Sequence, residues 1–135
     1  GEIRTRSKNK DWKIGINTPS VTNFENDIEL VITLNNLSIA TSGNYRNFYI
    51  IDDKFYHHEI NPKTGYPISS NLGSISIISD KSCLDADGLS TMFYTIEKDI
   101  ASDMVENLDN IESLSIIVNS DKTFTKVFSS NFPNN

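Results

Sequence analysis

Only one cysteine, Cys83, stands among the 135 residues, so no disulfide can form within the chain. A single thiol does not identify a redox compartment. Its place just ahead of a helix-like stretch reads as a small buried hydrophobe rather than a nucleophile. Positive charge is also scarce: 12 Lys and Arg against 18 Asp and Glu leave a formal net charge of −6. A nucleic-acid groove needs clustered Lys and Arg, so that class is set aside. The basic residues gather once, at Arg4, Arg6, Lys8, Lys10 and Lys13, which reads as a solvated, irregular N-terminal segment. No apolar run approaches a transmembrane span, and no signal peptide is visible. The chain opens on Gly1 without an initiator Met, and is expected to be a piece of a longer precursor. There is no internal repeat and no low-complexity segment, and the length suits one domain.

What is present is alternation. Asp11 to Asn17 places Trp12, Ile14 and Ile16 on one side of a period-2 pattern and reads as a strand. Asp27 to Leu34 does the same with Ile28, Leu30, Ile32 and Leu34. Asn35-Asn36 reads as a hairpin turn into a third strand, Leu37 to Thr41. Arg46 to Ile51 and Lys54 to Ile60 flank Asp52-Asp53 as a hairpin rich in aromatic and β-branched residues. Asn61 to Pro67, with two prolines and a glycine, cannot be regular structure. Gly73 to Ser79 is a further strand.

Then the period changes. Leu84, Leu89, Met92, Phe93 and Ile96 fall on one arc at 3.6-residue spacing, with Ser82 as N-cap and Asp85 three residues on. Lys98 to Leu108 reads as a second helix with Ile100, Met104 and Leu108 on its apolar face. Leu114 to Val118 and Thr123 to Phe128 read as a closing hairpin, and Ser129 to Asn135 as a frayed tail. Strands, two consecutive helices and a C-terminal hairpin predict an α+β domain with a mostly antiparallel sheet.

Three stretches could carry chemistry. His57-His58 at a strand end precedes a rigid Pro/Gly loop, a good way to present an imidazole for proton transfer. The alternative is a strand-end His and a structural turn. Asp87 and Thr91 are four apart on the first helix, so a carboxylate and a hydroxyl share one face. These are hard oxygens suited to Mg²⁺, although by spacing alone a helix cap with a solvated Asp is the stronger reading. Thr41-Ser42-Gly43-Asn44-Tyr45, taken alone, is a tight turn between strands.

Together these stretches resemble the ApbE family. Trp12-Lys13-Ile14-Gly15-Ile16, Thr41-Ser42-Gly43-Asn44-Tyr45, His58-x-x-x-Pro62-x-Thr64-Gly65-x-Pro67 and Asp87-x-x-x-Thr91 stand in that family's order with similar gaps. The His-to-Pro motif is the most specific of them, and the ordered set is more specific than any member. Two departures are Asn61, where Asp is usual, and Gly88, where Ala is more usual.

The resemblance implies an ApbE-like, T-fold-related domain over residues 1–135, the C-terminal portion of a protein about twice as long. The stretch Gly1-Glu2-Ile3 resembles the sequence after a glycine pair near the middle of family proteins, so the N-terminal half is expected to be absent. The implied activity is Mg²⁺-dependent FAD:protein FMN transfer. A Thr or Ser hydroxyl of an acceptor protein attacks the FMN-side phosphorus of FAD and releases AMP. His58 is implied as the base, or as a group orienting flavin or phosphate. Asp87 and Thr91 are implied as Mg²⁺ ligands. Thr41, Ser42, Tyr45, Ile60, Asn61, Thr64 and Gly65 are implied at the flavin site. The implied partners are FAD and an acceptor flavoprotein such as a membrane redox-complex subunit. The implied location is extracytoplasmic, at the membrane, with the intact protein anchored by lipid. The alternatives are an Mg²⁺-dependent FAD pyrophosphatase on the same scaffold and a non-enzymatic flavin-binding module. The chain alone is expected to fold but to be a poor enzyme.

Overall fold

The computed structural model describes residues 1–20, 27–96 and 98–133. In chain order the elements are β1 (Glu2–Arg4), β2 (Trp12–Asn17), β3 (Ile28–Leu34), β4 (Ser38–Gly43), β5 (Phe48–Ile51), β6 (Lys54–His57), β7 (Leu72–Ser79), α1 (Cys83–Thr95), α2 (Lys98–Glu106), β8 (Ile111–Val118) and β9 (Phe124–Phe128). This is the α+β class read from the sequence. A five-stranded antiparallel sheet runs β1-β4-β7-β8-β9, and β2-β3 and β5-β6 form two separate hairpins. No helix among the described residues is long and apolar enough to cross a membrane.

β7 is the sheet's middle strand, and all eight of its residues are buried. Its alternation sorts the core into two layers. Ile75 and Ile77 join Ala40, Phe93, Tyr94, Ala101 and Val105 on the helix side. Ile78 joins Ile39, Leu114 and Ile116, covered by Ile16, Ile32 and Leu34 of the β2-β3 hairpin. The sheet is therefore sandwiched, with helices on one face and a hairpin on the other.

That sandwich corrects the expected turn at Asn35-Asn36. β3 does not pair with β4; it pairs with β2, while β4 pairs with β1 and β7. The chain changes layer there, with Asn36 at positive φ (55°). Alternation marks a strand's two faces but not its neighbour. Arg4 corrects the N-terminal reading too. Residues Glu2 to Arg4 are a strand, and the Arg4 guanidinium donates to the Asp80 and Lys81 carbonyls at 3.0 Å each. Lys10 sits 5.1 Å from the Trp12 ring centre.

α1 begins as read: the Ser82 hydroxyl accepts from the Asp85 N–H at 3.1 Å. Cys83 is its first residue, half-buried. Its buried face differs from the expected arc. Ala86, Ser90, Phe93 and Tyr94 face the sheet, while Leu84 is 82% exposed and Met92 also faces outward. Small Ala86 and hydroxyl-bearing Ser90 let the helix approach β4 closely, and an apolarity plot misses both. α2 is rotated likewise. Ala101 and Val105 are buried, and the expected stripe Ile100, Met104 and Leu108 is exposed. At the C-terminus, Phe132 is buried against the second core layer, with its ring 5.2 Å from Phe128, so the tail is not frayed through residue 133. Residues 134 and 135 lie outside the described residues.

Candidate active site

One cleft of about 570 Å³ collects the sequence-predicted residues Thr41, Ser42, Tyr45, His58, Asp87 and Thr91, within the size range of cofactor sites. They come from β4 and the loop after it, the exit of β6, and α1. The N-terminal residues Gly1 to Ile3 and the segment Ile14 to Asn17 form the remaining wall.

β4 supplies the floor. The Ser42 hydroxyl is buried and lies 2.9 Å from Ser90 Oγ and 3.1 Å from Thr91 Oγ1, pinning α1 to the strand. Ser90 also donates to the Asp87 carbonyl at 2.9 Å. Thr41 Oγ1 lies 2.7 Å from Ser76 Oγ on the neighbouring strand. Gly43 has no room for a side chain, because a Cβ would meet the Gly73 carbonyl and the Tyr45 ring, each at 2.8 Å. The glycine thus lets the Tyr45 ring pack closely on the strand end. The Arg46 guanidinium sits 5.8 Å from the Tyr45 ring centre and donates to Asn17 Oδ1 at 2.8 Å.

The two histidines diverge as their order suggested, although β6 ends at His57 and the expected strand to Ile60 does not continue. His57 is buried. Its Nε2–H donates to the Ile68 carbonyl at 2.8 Å, and its Nδ1 accepts from the Glu59 N–H at 3.3 Å. His58 faces the cleft and is about half exposed. Its Nδ1 lies 3.3 Å from the Asn47 carbonyl, which can only accept, so Nδ1 carries hydrogen, and Nε2 lies 3.5 Å from Glu59 Oε1.

The remaining predicted residues, Ile60, Asn61, Thr64 and Gly65, are not among the cleft lining. They build the loop behind it. Ile60 bridges to Pro67, and the Asn61 carbonyl accepts from Gly65 N–H at 2.8 Å. Asn61 Oδ1 accepts from Lys63 N–H, Thr64 Oγ1 from Tyr66 N–H, and Gly65 takes positive φ (72°). Asn61 and Thr64 side chains are thereby committed to the loop's own backbone.

Sequence reasoning passed over Glu59, Arg46 and Asn47, all of which line the cleft. Glu59 is 6% exposed. Burial pushes its carboxyl above the ordinary range, opposed by His58 and His57 and assisted by Asp87. Burial also pushes the nearby Tyr94 phenol up, with the Glu59 charge adding to it. The available signal was parity: Glu59 shares His57's side of the strand, and a Glu on a buried face is rare unless it is paired.

Glu2, Glu59 and Asp87 line the cleft against Arg46 and His58, so carboxylates predominate. Asp87 and Thr91, both exposed and one turn apart, offer hard oxygens toward it. No group of three or more His, Cys, Asp or Glu suited to a metal occurs among the described residues. By its chemistry the Asp87–Thr91 pair could supply part of the shell of Mg²⁺, an ion that commonly keeps several waters and completes its octahedron with substrate phosphate.

Comparison with known proteins follows the same residues. The model of the ApbE family matches residues 1–115. A protein of Haemophilus influenzae named FAD:protein FMN transferase is 41% identical over 135 residues, which is 98% of this chain and 38% of that protein. One of the same name from Vibrio cholerae is 36% identical, over 98% of this chain and 39% of that protein. Among solved structures, flavin transferase ApbE from Vibrio cholerae superposes with TM-score 0.75 at 32% identity, over 98% of this chain and 41% of that one. The ApbE protein of Thermotoga maritima gives TM-score 0.76 at 26% identity, over 98% and 41%. The chain spans about two fifths of the length of these relatives. On the strength of the matched model and of the Haemophilus and Vibrio relatives, the chain belongs to the ApbE family.

Proposed function

We propose that residues 1–135 are the C-terminal portion of an Mg²⁺-dependent FAD:protein FMN transferase. It would join FMN through a phosphoester to a Thr or Ser hydroxyl of an acceptor protein and release AMP. The observation that carries this reading is the meeting in one cleft of Thr41, Ser42, Tyr45, His58, Asp87 and Thr91, from three separated stretches of sequence. The relatives' shared name, FAD:protein FMN transferase, supports it.

A pyrophosphate entering a cleft lined by Glu2, Glu59 and Asp87 meets like charge. Asp87 and Thr91 would hold Mg²⁺ there, and its chemistry is neutralisation of charge on the phosphates. Phosphoryl transfer depends chiefly on positioning and charge stabilisation, which the protein supplies by holding both reactants in line. A hydroxyl is a weak nucleophile near neutral pH and needs a base. His58, half exposed and lining the cleft, would take that proton. Tyr45, packed against Gly43 and lining the cleft, would offer an aromatic ring to a flavin. Asn61, Thr64 and Gly65 fix the loop that follows His58. The acceptor is proposed to be a subunit of a membrane redox complex, met outside the cytoplasm by a lipid-anchored parent.

The test is mass spectrometry of an acceptor protein incubated with the full-length parent, FAD and Mg²⁺. FMN attached to a Thr or Ser, with AMP in equal amount, supports the proposal. AMP and free FMN with an unmodified acceptor would indicate a pyrophosphatase. Flavin binding without AMP would leave only a binding module. Asp87→Asn should lower transfer by roughly 10²-fold or more, the scale of losing one charge-stabilising group, without loss of fold.

A further inference from the structure

We propose that Glu59 is a positioning residue for His58, a buried carboxylate that aims the imidazole and stabilises the cation formed when His58 takes the acceptor's proton. The inference rests on the reading of His58 as proton acceptor, and adds to it a second residue that the motif does not name.

A carboxylate buried to 6% exposure is costly to keep charged unless it is paired. The Oε1 atom of Glu59 lies 3.5 Å from His58 Nε2. Its backbone is fixed on both sides. The Glu59 N–H donates to His57 Nδ1 at 3.3 Å, and its carbonyl accepts from Ile68 N–H at 3.0 Å. The carboxylate is thus held by the hairpin and not by a flexible surface arm.

His58 is held from the other end. Its Nδ1–H is directed at the Asn47 carbonyl, which leaves Nε2 as the atom that exchanges a proton. That atom lies 3.5 Å from Glu59 Oε1, and both residues line the cleft. In the reaction, the acceptor O–H bond breaks, its oxygen bonds to phosphorus, and the P–O bond to AMP breaks. The proton goes to His58 Nε2, and Glu59 gains no atom. Its negative charge, 3.5 Å from Nε2, stabilises the N–H⁺ electrostatically on the side of the nitrogen that gains the proton. The titratable groups facing Glu59 are His57 and His58 from its own strand end, and Asp87 and Tyr94 from α1. Burial and Asp87 disfavour its charge, and His58, followed by His57, favours it. An ordinary neighbouring ion pair on a surface would show neither the burial nor the fixed backbone.

The experiment compares Glu59→Gln and Glu59→Asp with wild type in the full-length parent, with histidine labelled by ¹⁵N. In Glu59→Gln, kcat for FMN transfer is expected to fall about 10- to 100-fold, the range for a group that orients a functional one. KM for FAD should stay within about twofold, since uniform binding is untouched. Glu59→Asp should recover part of kcat. The pH midpoint of the His58 Nε2 resonance should move down by about one unit or more in Glu59→Gln, because a neighbouring negative charge is lost. Wild-type kcat in Glu59→Gln overturns the proposal. So does a fall in kcat with an unmoved His58 resonance, which would make Glu59 merely structural. If the wild-type parent transfers no FMN, the functional reading fails. The resonance shift alone then decides whether the two side chains are coupled.

Discussion

Ser42 Oγ stands 3.1 Å from Thr91 Oγ1, so a buried serine of β4 reaches across to the exposed hydroxyl assigned to the metal. The same Ser42 Oγ contacts Ser90, which also donates to the Asp87 carbonyl. One side chain therefore sets the register of both proposed ligands against the sheet. Ser42→Ala should cost about 1 kcal/mol of stability, a typical net hydrogen bond, because Ser90 keeps its bond to Asp87. The larger effect should fall on Mg²⁺. The concentration for half-maximal transfer should rise roughly 10-fold or more, as for groups that orient metal ligands. Magnesium titration of the full-length parent, beside a thermal melt, separates the two. A lower melting point with an unchanged magnesium response would confine Ser42 to packing.

The two histidines should fail in different ways. His58→Ala removes the proposed base and should slow transfer about 10²- to 10⁴-fold with little change in melting. His57 sits buried between Phe55 and Tyr94, with a bond to the Ile68 carbonyl. His57→Ala leaves that carbonyl without its donor and opens a gap, so about 1–3 kcal/mol of stability should go. Its transfer rate, measured well below the melting point, should fall far less than that of His58→Ala, because Glu59 loses the bond from its N–H and keeps the one at its carbonyl. Equal rate losses from both would mean that they act as one structural pair.

The β5-β6 hairpin carries a band of exposed apolar side chains: Tyr49, Ile50 and Ile51 are 76%, 65% and 57% exposed. Ile50 and Phe55 are cross-strand partners, and Phe55 is exposed too. Contiguous apolar surface of this kind favours association in water. The 135-residue chain produced alone should therefore self-associate, with a sedimentation coefficient that rises with concentration. Ile50→Asp should reduce that rise. A concentration-independent monomer in the wild-type chain would refute it.

Strand positions and the N-cap at Ser82 were legible because period-2 alternation and capping chemistry are local. Pairing was not, since β4 finds its partner β7 more than thirty residues on, and nothing in Ser38–Gly43 names that partner. The helix faces were misread for a related reason. α1 and α2 bury Ala86, Ser90 and Ala101, small residues whose worth lies in close approach and hydroxyl bonding, not in apolar area. Of the site, Asp87, Thr91 and His58 could be named through the family resemblance and not from spacing alone, and the structure brings them to one cleft with Thr41, Ser42 and Tyr45. Ile60, Asn61, Thr64 and Gly65 stand behind that cleft, because a Pro/Gly loop spends its polar groups on its own turn. Glu59 was passed over because its significance comes from burial, which only the folded chain reveals.

That burial also sets a pH dependence. Desolvation raises the folded-state pKa of Glu59 above its ordinary value, with His58 and His57 opposing and Asp87 assisting. A carboxyl whose pKa is higher in the folded state binds its proton more tightly there than in the unfolded chain. Its favourable contribution is complete below the unfolded value near 4.5 and is lost as pH rises through the raised folded value. Glu59→Gln is neutral at every pH and should escape that loss. The variant should melt close to wild type near pH 4 and above it near pH 8. A gain of about 1 kcal/mol corresponds to roughly 2–6 °C for a domain of this size. If Glu59 supports His58 as proposed, the stabilised variant should also be the slower enzyme, the usual exchange at a site held in a costly arrangement. Melting curves of both proteins at the two pH values decide the matter. A variant less stable than wild type at pH 8 would mean that the ion pair with His58 outweighs desolvation, and that Glu59 holds the fold as well as the imidazole.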